Sequence, residues 1–316
     1  MSAESSQEHS LGGHRPPLQK IVLGSRGSEL ARTQTALVIE ALKKPWPQLQ
    51  IVAQIIATRG DSRSAEPLDP RAGRKGLFTG EIERALVSGE IDVAVHSAKD
   101  LASDMTEGLV LAAVLPRAPT NDVLITKEAG ELRGQVATGS IRRQYQLRWK
   151  FPGVETLDLR GNVPTRLRKF LASDWHGIVL AQAGLERLGF KVSAGSFEFE
   201  GTSLHAEALS TDDFLPAGGQ GVIALQVRAD GEDRIVRAVN DTSTFSCLQA
   251  EREFLRLLQG DCGSPIGVLA TTGGSTMTMR AQVFEPPRVE PRSARVEGDA
   301  SKPEELARGL WGAING

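Results

Sequence analysis

The segment AVHSAKDLASD (94–104) places a histidine, a serine, a lysine and an aspartate at the end of a strand-like run. Ligands of open α/β sheets bind beyond the carboxyl ends of the strands, where Ser97, Lys99 and Asp100 would lie. A lysine can bind an anion beside an aspartate that moves protons. The segment therefore indicates an acid–base site for an anion, although a surface ion pair in a turn has the same pattern. His96 is interpreted as a packed structural histidine.

Arginines stand at several other strand-to-helix junctions, where free backbone N–H groups favour anions. GSRGSEL (24–30) carries Arg26 and Ser28, and GSIRRQ (139–144) carries Ser140, Arg142 and Arg143. Further arginines follow in LRGNVPTRL and AGLERLG, namely Arg160, Arg166 and Arg187. Two cations at a helix start oppose the helix dipole, so an anionic ligand is expected to offset their charge. Each arginine alone is typical of a surface; together they predict a polyanion site.

The two cysteines have different settings. Cys262 follows a predicted helix within QGDCGSPIG, among small residues that leave the thiol accessible. Such a thiol is a candidate nucleophile or attachment point. Cys247 lies within an amphipathic helix and is interpreted as a core residue. The five histidines and two cysteines show no metal-ligand spacing, so no metal is expected.

Composition limits the class of protein. The 316 residues suggest about two domains, or three small ones. With 40% apolar and 24% charged residues, the chain is typical of a soluble globular protein, which excludes collagen-like, low-complexity and disulfide-scaffold classes. No run approaches the roughly 18 apolar residues of a membrane span. The first 18 residues lack the apolar core of a secretory signal, so a cytoplasmic location with reduced cysteines is expected.

Charge is distributed unevenly although the net charge is only −2. Of the 37 basic residues 27 are arginine, whose planar guanidinium binds carboxylate or phosphate through two parallel hydrogen bonds. Between Arg133 and Arg187 ten basic residues face four acidic ones, a local charge of +6. A solvated basic face would explain this run as well as a polyanion site would.

Strand-like runs alternate with helical patterns, which favours an α/β protein with parallel or mixed sheets. Strands are predicted at 20–25, 49–57, 91–96, 122–126 and 222–227, and a strong amphipathic helix at 244–260. We predict a disordered tail at 1–17, domain 1 at 18–116 plus about 217–239, domain 2 at 117–216, and domain 3 at 240–316. A long polar loop at 58–76 is predicted to be functional and mobile.

Several segments together resemble one family, porphobilinogen deaminase, also called hydroxymethylbilane synthase. The matching stretches keep the family's order from about residue 22 to 267: GSRGSELARTQ, TRGD, GRKGLFTGEIE, VHSAKDL, GSIRRQ, LRGNVPTRL, LAQAGLERLG, LPAGGQG and EREFLRLLQGDCGSPIG. Each motif alone is modest, whereas the ordered set is highly specific.

The resemblance implies a three-domain α/β enzyme. Its first two domains would be like type II periplasmic-binding-protein lobes, and its third a small α+β domain that carries the cofactor cysteine. The family, a group of transferases of haem and other tetrapyrrole biosynthesis, condenses four porphobilinogen molecules head to tail. Ammonia leaves at each step, and the linear tetrapyrrole hydroxymethylbilane is released. A dipyrromethane cofactor remains attached through a thioether, and its attachment position falls on Cys262.

The family's functional residues fall on positions present in this chain. The catalytic aspartate matches Asp100, with Lys99 beside it. Cofactor-binding positions match Lys99, Asp100, Ser140, Arg142, Arg143, Arg160 and Gly161. Substrate-binding positions match Arg26, Ser28, Lys75, Arg160, Arg166 and Arg187, and Arg71 matches a further basic position in the loop 58–76.

This implied chemistry explains the residues. Every pyrrole ring carries an acetate and a propionate, so the growing chain is a polycarboxylate that a cluster of guanidinium groups would bind. Loss of ammonia leaves an azafulvene whose positive charge spreads over the pyrrole nitrogen. A carboxylate at Asp100 would stabilise that cation and move protons. Lys75 and Arg71 lie in the loop 58–76, a plausible lid.

The chain departs from the family pattern at four places. Ala102 stands where proline is usual, Asp261 precedes Cys262 where glycine is usual, and Gln226 replaces a common glutamate. Pro164 is unusual, although it suits a first helical turn. A carboxylate at Asp261 would raise the thiol pKa and slow cofactor attachment.

Other readings remain open on the sequence. A non-catalytic anion-binding or solute-binding protein would share the cleft but would leave Cys262 without a task. A catalytically impaired paralogue that binds linear tetrapyrroles is conceivable because of Ala102 and Asp261. A nucleic-acid module is disfavoured because aromatic residues are only 5% of the chain. The expected partner is porphobilinogen, without nucleic acid or membrane, and the family's usual state is a monomer.

Overall fold

The alternating strand and helix patterns assemble into three separate sheets. The computed structural model describes residues 20–58, 79–231, 233–260 and 264–316. Within these residues each sheet has its own helices, and the α/β fold predicted from the sequence is confirmed. The predicted tail at 1–17 and all but the first residue of the loop 58–76 lie outside the described residues.

Lobe 1 is built on a five-stranded sheet in the order β2-β1-β3-β11-β4. Its strands are Lys20–Ser25 (β1), Gln50–Ile55 (β2), Val93–Ser97 (β3), Leu109–Val114 (β4) and Ile223–Arg228 (β11). Its helices are Glu29–Lys43 (α1) and Gly80–Val87 (α2). Strands β1 to β3 are parallel, and β11 runs antiparallel to both of its neighbours. The central strands are apolar on both faces because helices or other elements cover both sides.

Lobe 2 is built on a six-stranded sheet in the order β7-β6-β8-β5-β10-β9. Its strands are Asp122–Thr126 (β5), Gly134–Ala137 (β6), Val154–Leu157 (β7), Gly177–Ala181 (β8), Ser196–Phe199 (β9) and Thr202–Ala208 (β10). Its helices are Ile141–Lys150 (α3), Val163–Leu171 (α4) and Gln182–Arg187 (α5).

The two lobes share one strand-order rule. In each sheet, the fourth strand is the first one that the chain forms after it crosses from the other lobe. This strand runs antiparallel to the strand in third place. That strand is β11 in lobe 1 and β5 in lobe 2. This order is the one expected of type II periplasmic-binding-protein lobes. It requires two crossovers, at 115–121 and 209–222. Residues that follow β3 of lobe 1 and residues at the start of α3 of lobe 2 line one shared cavity.

The third unit is a three-stranded antiparallel sheet covered by two helices. Its strands are Ile266–Gly273 (β12), Thr276–Val283 (β13) and Arg292–Asp299 (β14). Its helices are Thr242–Leu257 (α7) and Pro303–Asn315 (α8), and a short helix, Arg234–Arg237 (α6), precedes them. The core includes Phe254, Met277 and Leu310. The domain boundaries given above stay a prediction.

Cys247 is buried in the core of the third unit, as predicted. Burial raises the pKa of the Cys247 thiol to about 11, and the nearby Glu251 adds to the shift. The thiolate is the reactive form of a cysteine, so this thiol is inert near neutral pH.

Local sequence explains where the helices next to the cleft begin. Ser28 caps α1 by accepting a hydrogen bond from the Ala31 amide, and Asn162 caps α4 in the same way. Pro164 lies in the first turn of α4, where its missing N–H costs no helical hydrogen bond, as predicted. No helix in the described ranges is both long enough and apolar enough to cross a bilayer.

Candidate active site

A single 3-10 turn, Ala98–Asp100, follows β3 and carries Lys99 and Asp100. The turn is held from two sides. The buried Gln34 on α1 donates from Nε2 to Ser97 Oγ at 2.9 Å. From the second crossover, Gly219 packs so closely that a Cβ there would lie 3.0 Å from Ala98 C and Lys99 N. The positions of Lys99 and Asp100 are therefore fixed by a helix and a crossover distant in sequence.

Lys99 is a half-buried cation. Its Nζ lies 3.4 Å from Gln220 Oε1. Burial, with a smaller contribution from Arg143, lowers the pKa of Lys99 to about 8, although Asp100 opposes the shift. A charged amine that has lost water and sits near other cations gains stabilisation from any arriving carboxylate.

Asp100 is the partly exposed carboxylate next to Lys99. Its Oδ2 lies 3.9 Å from Arg26 Nη1, and its side chain is 36% exposed. Arg26 lies beyond the end of β1, so two neighbouring strands of lobe 1 supply this pair. The carboxylate is thus held near a guanidinium and can still reach a molecule in the cleft.

Arg142 and Arg143 lie in the first turn of α3 and are buried in lobe 2. Asp122, the first residue of β5, accepts from both: Arg142 Nη1 is 2.8 Å from Oδ2, and Arg143 Nη2 is 2.7 Å from Oδ1. Burial alone would raise the pKa of Asp122, but the two guanidinium groups outweigh it and hold the pKa well below its usual range. The protein therefore supplies part of the counter-charge that the sequence argument assigned to an external anion, and the anion site itself stays a prediction.

The pairing with Asp122 leaves donors of both arginines without partners. Within the described part of the chain, Nε of Arg142 and Nε of Arg143 are buried and make no hydrogen bond. One small cavity reaches this region, and it is lined by Lys99, Ser140, Arg142, Gly218, Arg252, Gly260 and Ser264, among others. Unpaired donors and surplus positive charge beside a cavity suit a ligand that carries carboxylates.

A second group of predicted residues lies on or directly before helix α4. Arg160 pairs with the exposed Asp158 at 2.7 Å, and Arg166 Nε donates to Gly161 O at 2.7 Å. Burial, with a smaller contribution from Arg143, lowers the pKa of Arg166 to about 10, although Asp100 opposes the shift. Arg166 is therefore within electrostatic reach of both the arginine pair and the cleft carboxylate.

Arg187 spans the boundary between the lobes. Its Nη2 donates to Gly221 O, on the second crossover, at 2.7 Å. Burial lowers the pKa of Arg187 to about 10. This arginine thus has a structural contact in addition to any ligand it binds. Ser28 likewise has a structural contact, the cap of α1.

The remaining predicted residues fall in stretches of the chain that the structure does not describe. Cys262, Lys75 and Arg71 lie outside the described residues, and so does Asp261. The chain on either side of Cys262, at Gly260 and Ser264, lines the cavity that holds Lys99 and Arg142.

Sequence reasoning missed the residues that hold the site together. Asp122, Gln220 and Gln34 were not singled out, although each is buried and contacts a predicted site residue. One signal was available for Asp122, because a charged residue opening the apolar run DVLIT needs a buried partner. Arg252, which lines the cavity, was also missed.

Comparison with known families decides among the readings. Residues 21–236 match the family described as "Porphobilinogen deaminase, dipyromethane cofactor binding domain", and residues 245–311 match "Porphobilinogen deaminase, C-terminal domain". The chain belongs to the porphobilinogen deaminase family. The resemblance inferred from the sequence motifs is thereby confirmed, together with the presence of a dipyrromethane cofactor-binding domain.

Named relatives cover nearly the whole chain. The porphobilinogen deaminase of Moorella thermoacetica is 40% identical over 299 residues, which cover 92% of this chain and 91% of that protein. The one from Clostridium novyi is also 40% identical, over 79% of this chain and 83% of the relative. These relatives carry the name of an enzyme and give no support to the non-catalytic alternatives.

Among solved structures the similarities are more distant. The periplasmic VFT2 domain of Bordetella pertussis BvgS is 14% identical, with a TM-score of 0.42, over 70% of this chain and 87% of that one. The methionine-binding protein MetQ is 12% identical, with a TM-score of 0.41, over 77% of this chain and 96% of that one.

The cofactor named by the family suits the residues present. A dipyrromethane carries several carboxylates; Lys99 and Arg142 line the cavity, Arg143 lies next to Arg142, and the Nε atoms of both arginines lack hydrogen-bond partners in the described ranges. The positive charge there exceeds what Asp122 alone compensates. The site is thus suited to a multiply charged anion and not to a neutral group.

We predict that Gly219→Ala lowers porphobilinogen turnover more than Gly108→Ala does. Both glycines have positive φ, +74° and +78°, so both variants lose about 1 kcal/mol or more of stability from backbone strain. Only at Gly219 does the added Cβ also press on the turn that carries Lys99. Thermal unfolding and turnover of both variants check this, and equal turnover per folded molecule would contradict the steric argument.

Proposed function

We propose that this chain is a hydroxymethylbilane synthase. It condenses four porphobilinogen molecules head to tail, releases one ammonia at each step, and yields the linear tetrapyrrole hydroxymethylbilane. The observation that carries the proposal is the cluster of four cations, Lys99, Arg142, Arg143 and Arg166, near one accessible carboxylate, Asp100. A catalyst for a polycarboxylate whose reaction passes through a cation needs both features.

The cations bind the acetate and propionate groups of the pyrroles. We assign substrate carboxylates to Arg26, Ser28, Arg160, Arg166 and Arg187, together with Lys75 and Arg71. Arg26 is close to Asp100, and Arg166 is electrostatically coupled to it. A substrate whose carboxylates contact these groups would present its ring to the Asp100 carboxylate. Binding through several fixed guanidinium groups also restricts the orientation of the ring, which lowers the entropic part of the barrier.

Asp100 performs the electrostatic and proton-transfer work. Its carboxylate accepts a hydrogen bond from the pyrrole N–H of the substrate in the cleft. When the aminomethyl group leaves as ammonia, positive charge spreads to that nitrogen, and the carboxylate stabilises it. After the new carbon–carbon bond forms, the attacked ring must lose a proton from its carbon, and Asp100 is the base within reach. Its exposed fraction leaves it accessible for both tasks.

The dipyrromethane cofactor is assigned to Cys262 by a thioether. When bound, it supplies the free pyrrole position on which the new chain grows. Lys99, Ser140, Arg142, Arg143, Arg160 and the Gly161 backbone would hold it, with Asp100 nearby. The placement of Gly260 and Ser264 on the cavity wall supports this assignment, because they flank Cys262 in sequence.

We further propose that the enzyme is a cytoplasmic monomer whose partner is porphobilinogen, without nucleic acid or membrane. A thioether can form only from a reduced thiol, which supports a reducing compartment. The monomer is proposed because it is the usual state of the family.

An intact mass with a peptide map over Cys262 tests the function first. We expect a covalent increment of two linked porphobilinogen-derived pyrroles on Cys262, or its appearance after incubation with porphobilinogen. Cys262→Ser should never gain the increment, and the matched variant Cys247→Ser should gain it as the wild type does. A wild-type protein that stays unmodified after incubation would overturn the proposal.

We predict that Asp100→Asn lowers turnover by about a hundredfold or more while the protein stays folded, because the amide cannot compensate the pyrrole cation or accept a proton. Asp212→Asn is the matched control, since Asp212 forms an exposed pair with Arg280. Steady-state tetrapyrrole formation and urea unfolding of both variants check this. Near-normal output from Asp100→Asn would refute the assigned role.

We predict that the apo-protein acquires cofactor more slowly as the pH rises through about 8. Lys99 is charged below that pH and neutral above it, so its attraction for carboxylates is lost. The pKa of Lys99 in the folded protein lies below its value of about 10.5 in the unfolded chain. Between pH 8 and about 10.5 the free energy of unfolding therefore rises with pH, because the unfolded chain binds the proton more tightly, while the binding of anions by Lys99 weakens. Mass time courses from pH 7 to 9.5 measure the rate. Lys99→Arg should show a flatter profile, and identical profiles would contradict the assignment.

A further inference from the structure

Asp122 is a buried carboxylate that the proposed reaction does not use. It opens β5 directly after the first crossover and has no solvent exposure. Three side chains donate to it: Arg142 at 2.8 Å, Arg143 at 2.7 Å and Gln220 at 2.8 Å. Two of these side chains are the arginines assigned to the cofactor, so one carboxylate connects the parts of that site.

Each of the two arginines uses some guanidinium nitrogens for hydrogen bonds within the protein and has its Nε without a partner in the described residues. Nη1 of Arg142 contacts Asp122 Oδ2, Gln146 Oε1 and Leu215 O. Arg143 uses Nη1 for Val179 O and Nη2 for Asp122 Oδ1. The Nε atoms of both arginines are left over. Because each oxygen of Asp122 takes one arginine, the carboxylate fixes the orientation of both guanidinium groups.

The charges of the two arginines also require the Asp122 carboxylate between them. Two guanidinium groups removed from water without a counter-charge would repel each other and favour alternative positions. One carboxylate between them cancels one unit of charge and leaves one. The pair thus remains cationic enough to bind an anion and is still held in a single geometry.

Asp122 also reaches the catalytic turn through one intermediate. Gln220 donates from Nε2 to Asp122 Oδ1 and to Thr120 O, and its Oε1 is the acceptor 3.4 Å from Lys99 Nζ. Gln220 belongs to the second crossover, Asp122 follows the first, and Lys99 lies in lobe 1. The carboxylate therefore relates the lysine of one lobe to the arginines of the other.

We infer that Asp122 is a positioning residue for cofactor acquisition, which orients Arg142 and Arg143 and, through Gln220, aligns them with Lys99. The inference rests on the proposed function, since it concerns how that same site binds the carboxylates of incoming porphobilinogen. Asp122 itself does not touch the substrate. Its effect on the orientation of Arg142 and Arg143 is measured as binding of porphobilinogen carboxylates by the apo-protein.

The test follows mass uptake by the full-length apo-protein, produced in cells that make no porphobilinogen, at several porphobilinogen concentrations. For Asp122→Asn we expect the half-saturating concentration to rise by about tenfold or more, with a smaller change in the maximal rate. Asp213→Asn is the matched control, because Asp213 forms a half-exposed pair with Lys150, and it should acquire cofactor as the wild type does.

A purely structural role would lower the unfolding midpoint without moving the half-saturating concentration per folded molecule, and that result would overturn the inference. Asp122→Glu keeps the charge and displaces the oxygens by one methylene. If Asp122→Asn does not fold, a raised half-saturating concentration in Asp122→Glu supports orientation by Asp122, and a wild-type value overturns it. Failure of the wild type itself to gain mass would instead refute the proposed function, so the two failures are distinguishable.

Discussion

Glu251 is the residue on which the arrangement of the three units depends. It is fully buried on α7, and its carboxylate accepts from Arg117 at 2.7 and 3.1 Å, from the Gly219 amide at 2.7 Å and from the Ala270 amide at 2.8 Å. Arg117 lies on the first crossover, Gly219 on the second, and Ala270 on β12. One carboxylate of the third unit thus ties both crossovers to one point. Removing one partner of such a buried pair costs about 3–5 kcal/mol, because the remaining charge is left without compensation.

The cleft follows from this constraint because Gly219 and Gln220 are adjacent. Glu251 fixes the backbone of Gly219, which packs against the turn that carries Lys99. The next side chain, Gln220, extends in the direction of Asp122 and lobe 2. Two buried carboxylates, Glu251 and Asp122, therefore hold the same short stretch of the second crossover. The surplus of cations around the site is tolerable because these two carboxylates compensate part of the charge of the most deeply buried guanidinium groups, and the remaining positive charge is left for the ligand.

The sequence predicted those strands, helices and site residues whose positions depend on neighbouring residues in the chain. Apolar runs and helical periodicity placed β1, β5 and α7 to within a few residues, and the junction motifs placed Arg142 and Arg143 at a helix start, which is the start of α3. Strands β4, β9 and β10 were not predicted, and their pairing in the sheets depends on partners distant in sequence. The site follows the same division. A motif shows that Arg142 stands at a helix start, but only the folded chain brings Asp122 to it from 20 residues away and Gln220 to Asp122 from 98. Long-range pairing of polar side chains leaves no periodic trace in the sequence.

Gln226, which stands where the family commonly has a glutamate, lies behind the strand that leads to the turn with Lys99 and Asp100. Gln226 is fully buried on β11; its Oε1 lies 2.9 Å from His96 Nε2, and its Nε2 donates to Glu83 Oε1 at 3.1 Å. Because Glu83 is an acceptor, the amide must face it with its nitrogen, so His96 donates from Nε2 to the amide oxygen. Burial lowers the pKa of His96, even though Gln226 and the nearby acids oppose the shift, and a neutral ring can make this donation. A glutamate at the same position would face Glu83 with a second carboxylate, and one of them would need a proton or a charged His96. The neutral glutamine and the neutral histidine are therefore consistent with each other, and they stabilise the end of β3, one residue before the turn that presents Asp100, without adding a charge behind it.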